Sequence, residues 1–234
     1  MHAADRIQRH FGAFPNVPCF LDGAPMPRKI ATLHSAQARS RAVRHLRQLD
    51  TPLAAVIEAV GPFRLELEDD PFRMLFRSIL WQQISFAAAN SIARRIEERI
   101  GPDGVTADAL ARLSVDELRA CGVSRPKAGY LLSLAGQMVS GELDLSELAQ
   151  LSDTEVQTRL VALRGVGEWT AQMLLIFSLG RTDIFPHGDL GIRVALKRLY
   201  GLSELPGREQ CLELASPWRP YASVASWYLW KSGD

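Results

Sequence analysis

The 234-residue sequence lacks any apolar run approaching the ~18 residues that a membrane-spanning helix needs. Its first residues, Met1-His2-Ala3-Ala4-Asp5-Arg6, hold no apolar stretch of the kind that opens a secretory leader. Cysteine is scarce. Cys19, Cys121 and Cys211 stand far apart, too few for a disulfide framework and one short of a four-cysteine iron–sulfur cluster. These absences predict a cytoplasmic protein with reduced thiols. Neither sign of charge is in excess, since 27 Lys+Arg against 26 Asp+Glu leaves +1. A protein that held nucleic acid by bulk charge would be more basic. Any such binding must therefore rest on local patches and oriented backbone N–H groups. Sustained period-two alternation, internal repeats and low-complexity tracts are also missing, which argues against sheet-based and solenoid architectures.

What is present is an apolar fraction of 47%, enough for one or two compact cores, arranged in helical periodicities. The expected fold class is all-α, with about ten helices joined by short links. Residues 1–35 carry Pro15, Pro18, Pro25 and Pro27 and read as a partly irregular extension with a short helix near 3–11; residues 36–234 read as the helical region. Ser40 to Leu49 is helical and basic, with Arg39, Arg41, Arg44 and Arg47 either forming a solvated face or touching phosphate. Thr51-Pro52 and Asp70-Pro71 each place a cap before a proline at the first helical position. Phe63 to Leu67 suits a short extended piece. A long amphipathic helix runs from Phe86 to Ile100 and stops at Gly101-Pro102. Ser114 with Glu117, and Ser152 with Glu155, have capping-box spacing. Further helices are expected over Pro126 to Ser140, from Asp189 to about Tyr200, and after Pro206 and Pro220.

The chemistry concentrates between Leu160 and Arg193. Two helical patterns flank the turn Arg164-Gly165-Val166-Gly167, and the second helix begins at Gly167 or Glu168. Its unpaired N–H groups would face out of the turn, where a phosphate can dock. A plain turn between packed helices has the same composition, and the tripeptide does not separate the two. Beyond it, Pro186-His187-Gly188 leads to Asp189 at the N-cap of another helix. That carboxylate either caps the helix and does nothing more, or also presents charge to a ligand.

The wider context resembles a known family. Leu163-x-Gly165-Val166-Gly167-x-x-Thr170-Ala171 is similar to the hairpin of the helix-hairpin-helix DNA glycosylases, hence a hairpin over residues 160–180. Phe185-Pro186-x-Gly188-Asp189-Leu190-Gly191-Ile192 resembles the segment that carries their catalytic aspartate. Pro71-Phe72 through Gln82-Gln83-Ile84-Ser85 resembles an early block, Leu118 through Lys127-Ala128 a middle one, and Trp218-Arg219-x-Tyr221-Ala222 through Trp227-Tyr228 the C-terminal helix. The likeness covers about residues 45–232 and looks closest to the DNA-3-methyladenine glycosylase II branch. Many members of that branch carry an N-terminal β-domain, and ~40 residues cannot hold it in full.

The resemblance implies two lobes with an active site between them. It implies a monofunctional enzyme that flips an alkylated purine of the 3-methyladenine or 7-methylguanine type out of duplex DNA and hydrolyses its N-glycosidic bond. Asp189 would stabilise the oxocarbenium-like transition state. Trp169, Trp227, Tyr228 and Trp81 would line the base pocket, with Met173 and Leu190 where relatives can place aromatics; each Trp could equally be core. Arg164, Gly165, Val166, Gly167 and Thr170 would bind DNA, and Gln83 and Ile84 would supply a wedge, unless Ile84 is core and Gln83 a cap. The carbonyls of Val161, Leu163 and Val166 would hold a structural monovalent cation; no catalytic cofactor and no iron–sulfur cluster is expected. Trp169 stands where bifunctional relatives place a lysine nucleophile, so no Schiff base could form there. The implied partner is damaged duplex DNA, and the protein is expected to act as a monomer. A helix-hairpin-helix module that binds DNA without cutting it, and a glycosylase for deaminated or oxidised bases, are the competing readings.

Overall fold

The computed structural model describes residues 30–49, 52–102 and 104–233. The expected helix near 3–11 lies outside them. The described residues form twelve α-helices and no strand, the only sheet-like pairing being an isolated bridge between Thr32 and Arg181. Phe63 to Leu67, expected to be extended, joins no ladder; Leu65 is buried there as irregular chain.

The helices are α1 (Ala36–Gln48), α2 (Pro52–Val60), α3 (Pro71–Trp81), α4 (Phe86–Ile100), α5 (Ala107–Ala111), α6 (Val115–Ala120), α7 (Arg125–Val139), α8 (Asp153–Val161), α9 (Glu168–Phe177), α10 (Leu190–Tyr200), α11 (Arg208–Ala215) and α12 (Ala222–Lys231). Their starts follow from local chemistry. Asp70 accepts from the Phe72 N–H ahead of α3. Ser114 and Ser152 close full capping boxes with Glu117 and Glu155. The Ser114 amide and the neighbouring Arg99 guanidinium hold the Glu117 carboxyl at about 2, far below its ordinary value. The five-residue α5 has no long periodicity to reveal it; Thr106 caps it.

Two apolar clusters give the fold its lobes. One gathers α3 to α9 around Phe76, Ile79, Leu131 and Leu174. The other gathers α1, α2 and α10 to α12 around Leu46, Leu53, Leu196 and Trp218. Phe177 and Trp230 pack against both. The chain crosses between lobes along residues 178–189. That crossing is tied down by Leu33 N–H on the Gly180 carbonyl (2.6 Å), Ser223 N–H on the Thr182 carbonyl (3.0 Å) and Ile184 N–H on Ser223 Oγ (2.9 Å).

Arg181 anchors the crossing from inside. It is 1% exposed, and its Nη2 donates to the carbonyls of Leu148 (3.3 Å), Ala149 (3.1 Å) and Leu151 (2.8 Å). Its Nε lies 3.3 Å from Asp153 Oδ1. Partial burial raises the Asp153 carboxyl above its ordinary value, and the Arg181 charge opposes that rise. Arg181→Met keeps the stem but takes a donor from three carbonyls, of which only that of Leu148 keeps another, the Leu151 N–H, and leaves the Asp153 carboxylate without its cation. The expected loss is about 3 kcal/mol, at the low end for a buried pair because Asp153 is partly wet. In a domain of this size that lowers the melting temperature by on the order of 10 °C, read by calorimetry; a shift below ~2 °C would show that water replaces the guanidinium without penalty.

Candidate active site

Asp189 stands where the crossing segment enters the second lobe. The Pro186 carbonyl accepts its N–H (2.9 Å), and its Oδ1 accepts from Ile192 N–H (2.9 Å), so it is the N-cap of α10. It is also more than a cap. Trp169 Nε1 donates to Oδ2 at 2.7 Å, and Trp230 Nε1 donates to Oδ1 at 3.0 Å. Trp169 comes from the hairpin helix α9 and Trp230 from the last helix α12, so each lobe sends one indole to the same carboxylate. Gly191 makes the approach possible. A Cβ there would fall 3.1 Å from Asp189 Oδ1 and 3.4 Å from the Trp230 ring.

Trp230, the second indole on Asp189, has no site role in the sequence reading. The signal was its spacing, three residues after Trp227 on one helix, which puts both indoles on neighbouring faces. Trp227 instead lies 8% exposed and edge-on to Phe63, with ring centroids 4.8 Å apart. Tyr228 is corrected from pocket wall to core: it is 0% exposed, and its hydroxyl donates to the Gly61 carbonyl (3.1 Å). Met173 is likewise buried in the first cluster and presents no surface to a base. Leu190 is 62% exposed beside Asp189. Trp81 stays half-buried, tilted against Phe86 at 4.9 Å.

The hairpin has the predicted geometry. Val166 N–H donates to the Leu163 carbonyl (3.1 Å), Gly165 takes a φ of 84°, and Gly167 caps α9 with no side chain to cover the first-turn N–H groups. Gly165 and Gly167 are glycine for different reasons. A Cβ on Gly165 would sit 2.2 Å from the Tyr130 ring, whereas one on Gly167 meets nothing within 4 Å. Thr170 is corrected from a DNA contact to a buried link: it is 1% exposed, and its Oγ1 accepts from Gln82 Nε2 (3.0 Å). The same Nε2 donates to the Gly165 carbonyl at 2.9 Å, a contact across 83 residues that no local pattern announces. Arg164 is exposed, its guanidinium 5.8 Å above the Tyr130 ring.

Gln83 and Ile84 are neither cap nor core. Ser85 caps α4 through the Ala88 N–H, and Ile84 is 41% exposed. Gln83, also exposed, is the one described non-glycine residue at positive φ, 58°. Of the carbonyls considered for a monovalent cation, that of Leu163 already accepts the Val166 N–H and keeps a second lone pair; Val161 is 46% exposed, and Val166 is buried at its side chain. Oxygen-only ligation of this kind suits a hard cation.

A carboxylate fixed by three N–H donors beside a helix start that can grip phosphate suits chemistry on a nucleic-acid backbone. A Bacillus subtilis relative is 33% identical over 188 residues, covering 78% of this chain and 66% of that protein. The DNA-3-methyladenine glycosylase 1 of Schizosaccharomyces pombe is 35% identical over 194 residues, 80% of this chain and 85% of its own length. The solved structure of the fission-yeast 3-methyladenine DNA glycosylase in complex with abasic DNA superposes with a TM-score of 0.76 at 34% identity, covering 82% of this chain and 96% of that one. The family profile described as "HhH-GPD superfamily base excision DNA repair protein" matches residues 76–220, and the chain belongs to that superfamily.

Proposed function

We propose that this protein is a monofunctional DNA glycosylase that removes alkylated purines from duplex DNA and leaves an abasic site. The observation that carries the reading is the Asp189 carboxylate, held by Trp169 and Trp230 between the lobes, next to the helix that begins at the hairpin. Relatives named as 3-methyladenine glycosylases support the substrate class. The protein would act as a monomer on damaged DNA.

In this reading the hairpin N–H groups grip a phosphate and the damaged nucleotide swings out of the stack. An alkylated purine is already cationic and leaves without a strong general acid. Positive charge then builds on the sugar, and the fixed carboxylate stabilises it and orients the attacking water. Its indole donors keep it from turning away at that moment. Trp169 offers no amine, so the sugar is not captured as a Schiff base and the strand stays intact. A monovalent cation held by the carbonyls of Val161, Leu163 and Val166 would stiffen the hairpin; it has no step in the chemistry.

Methylated genomic DNA incubated with the protein should release free alkylpurines, identified chromatographically. The DNA should break only after heating in alkali. Trapping a covalent adduct with borohydride would refute the monofunctional assignment, and tight binding without base release would leave a binding module.

Asp189→Asn is expected to slow single-turnover base release at least ~100-fold. Whichever way the amide is turned, its NH2 meets an indole N–H that now faces the carboxylate. A stability loss of about 1 kcal/mol should therefore accompany the change. Near wild-type excision would reduce Asp189 to a cap.

Gly167→Ala adds a methyl into open space, so the melting temperature should hold while affinity drops for damaged and undamaged duplexes alike. Gly165→Ala should instead destabilise the fold, because it meets the Tyr130 ring at a positive φ. Unchanged DNA affinity in folded Gly167→Ala would remove the hairpin from the binding surface.

A further inference from the structure

The loop that carries Gln83 and Ile84 is exposed and has little packing of its own, yet it adopts one strained conformation. Its support comes from α7. Lys127 lies half-buried beneath the end of α3, where its Nζ donates to the carbonyls of Leu80 (2.8 Å) and Gln82 (2.6 Å). These are carbonyls that a helix end leaves without partners, and a cation is favoured there. Burial pushes the Lys127 ammonium below its ordinary value, so the charge is kept at this spot against its own hydration. Three residues along the same helix, Tyr130 lies against Gly165, with no room for a Cβ between them. Gln82 closes the frame by donating from Nε2 to the Gly165 carbonyl and to Thr170 Oγ1.

We propose that α7 positions one part of the DNA-engaging surface against another: Lys127 and Tyr130, one helical turn apart, register the Gln83–Ile84 loop against the hairpin, with Gln82 as the cross-link. Lys127 and Gln82 are positioning residues. They act by holding an exposed side chain at a fixed distance from the phosphate grip, so that it enters the stack where the target base leaves. The proposal rests on the base-extrusion reading given above.

Its signature is selectivity for how hard the base is to extrude. A base paired in a duplex resists extrusion, and an unpaired one resists less. Lys127→Met keeps the stem and removes the ammonium. The test uses the full chain and two duplexes carrying one alkylated purine, in one case paired and in the other opposite an abasic-site analogue, followed by single-turnover release. Release from the paired site should slow by about 10-fold, and from the unpaired site by less than ~2-fold. Equal slowing on both duplexes would make Lys127 a purely structural residue and overturn the proposal, as would no slowing on either. Gln82→Met cuts the same frame at its other end and carries the same expectation, so a Lys127→Met protein that fails to fold does not shelter the idea. Wild-type protein that releases base from neither duplex would refute the excision reading and the proposal with it; activity in the wild type with equal losses in the variants refutes the proposal alone.

Discussion

The Asp189 carboxylate, shared by two indole N–H groups from opposite lobes, is the interaction on which the rest of the structure depends. Trp169 belongs to the cluster built by α3 to α9, and Trp230 borders both clusters from α12. The short crossing segment is held by several contacts, and Arg208 also reaches Glu168 across the lobes (3.8 Å), but at Asp189 an indole donor from each lobe meets one carboxylate. The contact that ties the lobes together here also orients the carboxylate. Arg181 and Ser223 serve it at a distance, since they fix the course of the segment that ends at Asp189.

Grip on DNA follows a different economy from that of a basic protein. With a net charge of +1 there is little bulk field. In the proposed reading the anchor is instead the start of α9, where Gly167 supplies no side-chain cap and dipole and N–H groups would act at short range. Short-range donors discriminate by shape as much as by charge, which suits a protein that must hold any sequence but only one backbone geometry. The arginines of α1 remain in part available: Arg44 and Arg47 are exposed, while Arg39 spends its Nε on the Leu33 carbonyl.

Legibility in the sequence tracked the range of the interaction. Helix starts at Asp70, Ser114, Ser152 and Asp189 were readable because cap and capped N–H lie within three residues. The hairpin was readable through its glycines. Trp230, Gln82, Lys127 and Arg181 were not, because each acts on a partner 30 or more residues away, and nothing in their local spacing names that partner. Tyr228 misled for a related reason: its ring is fully buried, and its hydroxyl finds the Gly61 carbonyl, 167 residues away in sequence.

Gly191 sets two demands of the chain against each other. It lies exposed in the first turn of α10, where a glycine weakens a helix by about 1 kcal/mol relative to alanine. By helix propensity alone, alanine is the better residue. Its methyl would press on the one carboxyl oxygen that already accepts from Ile192 and Trp230. If Asp189 is the reacting group, as proposed, selection for thermal stability and selection for turnover pull this single codon in opposite directions, and a survey of stabilising substitutions that scored only melting temperature would favour a change that disturbs that carboxylate.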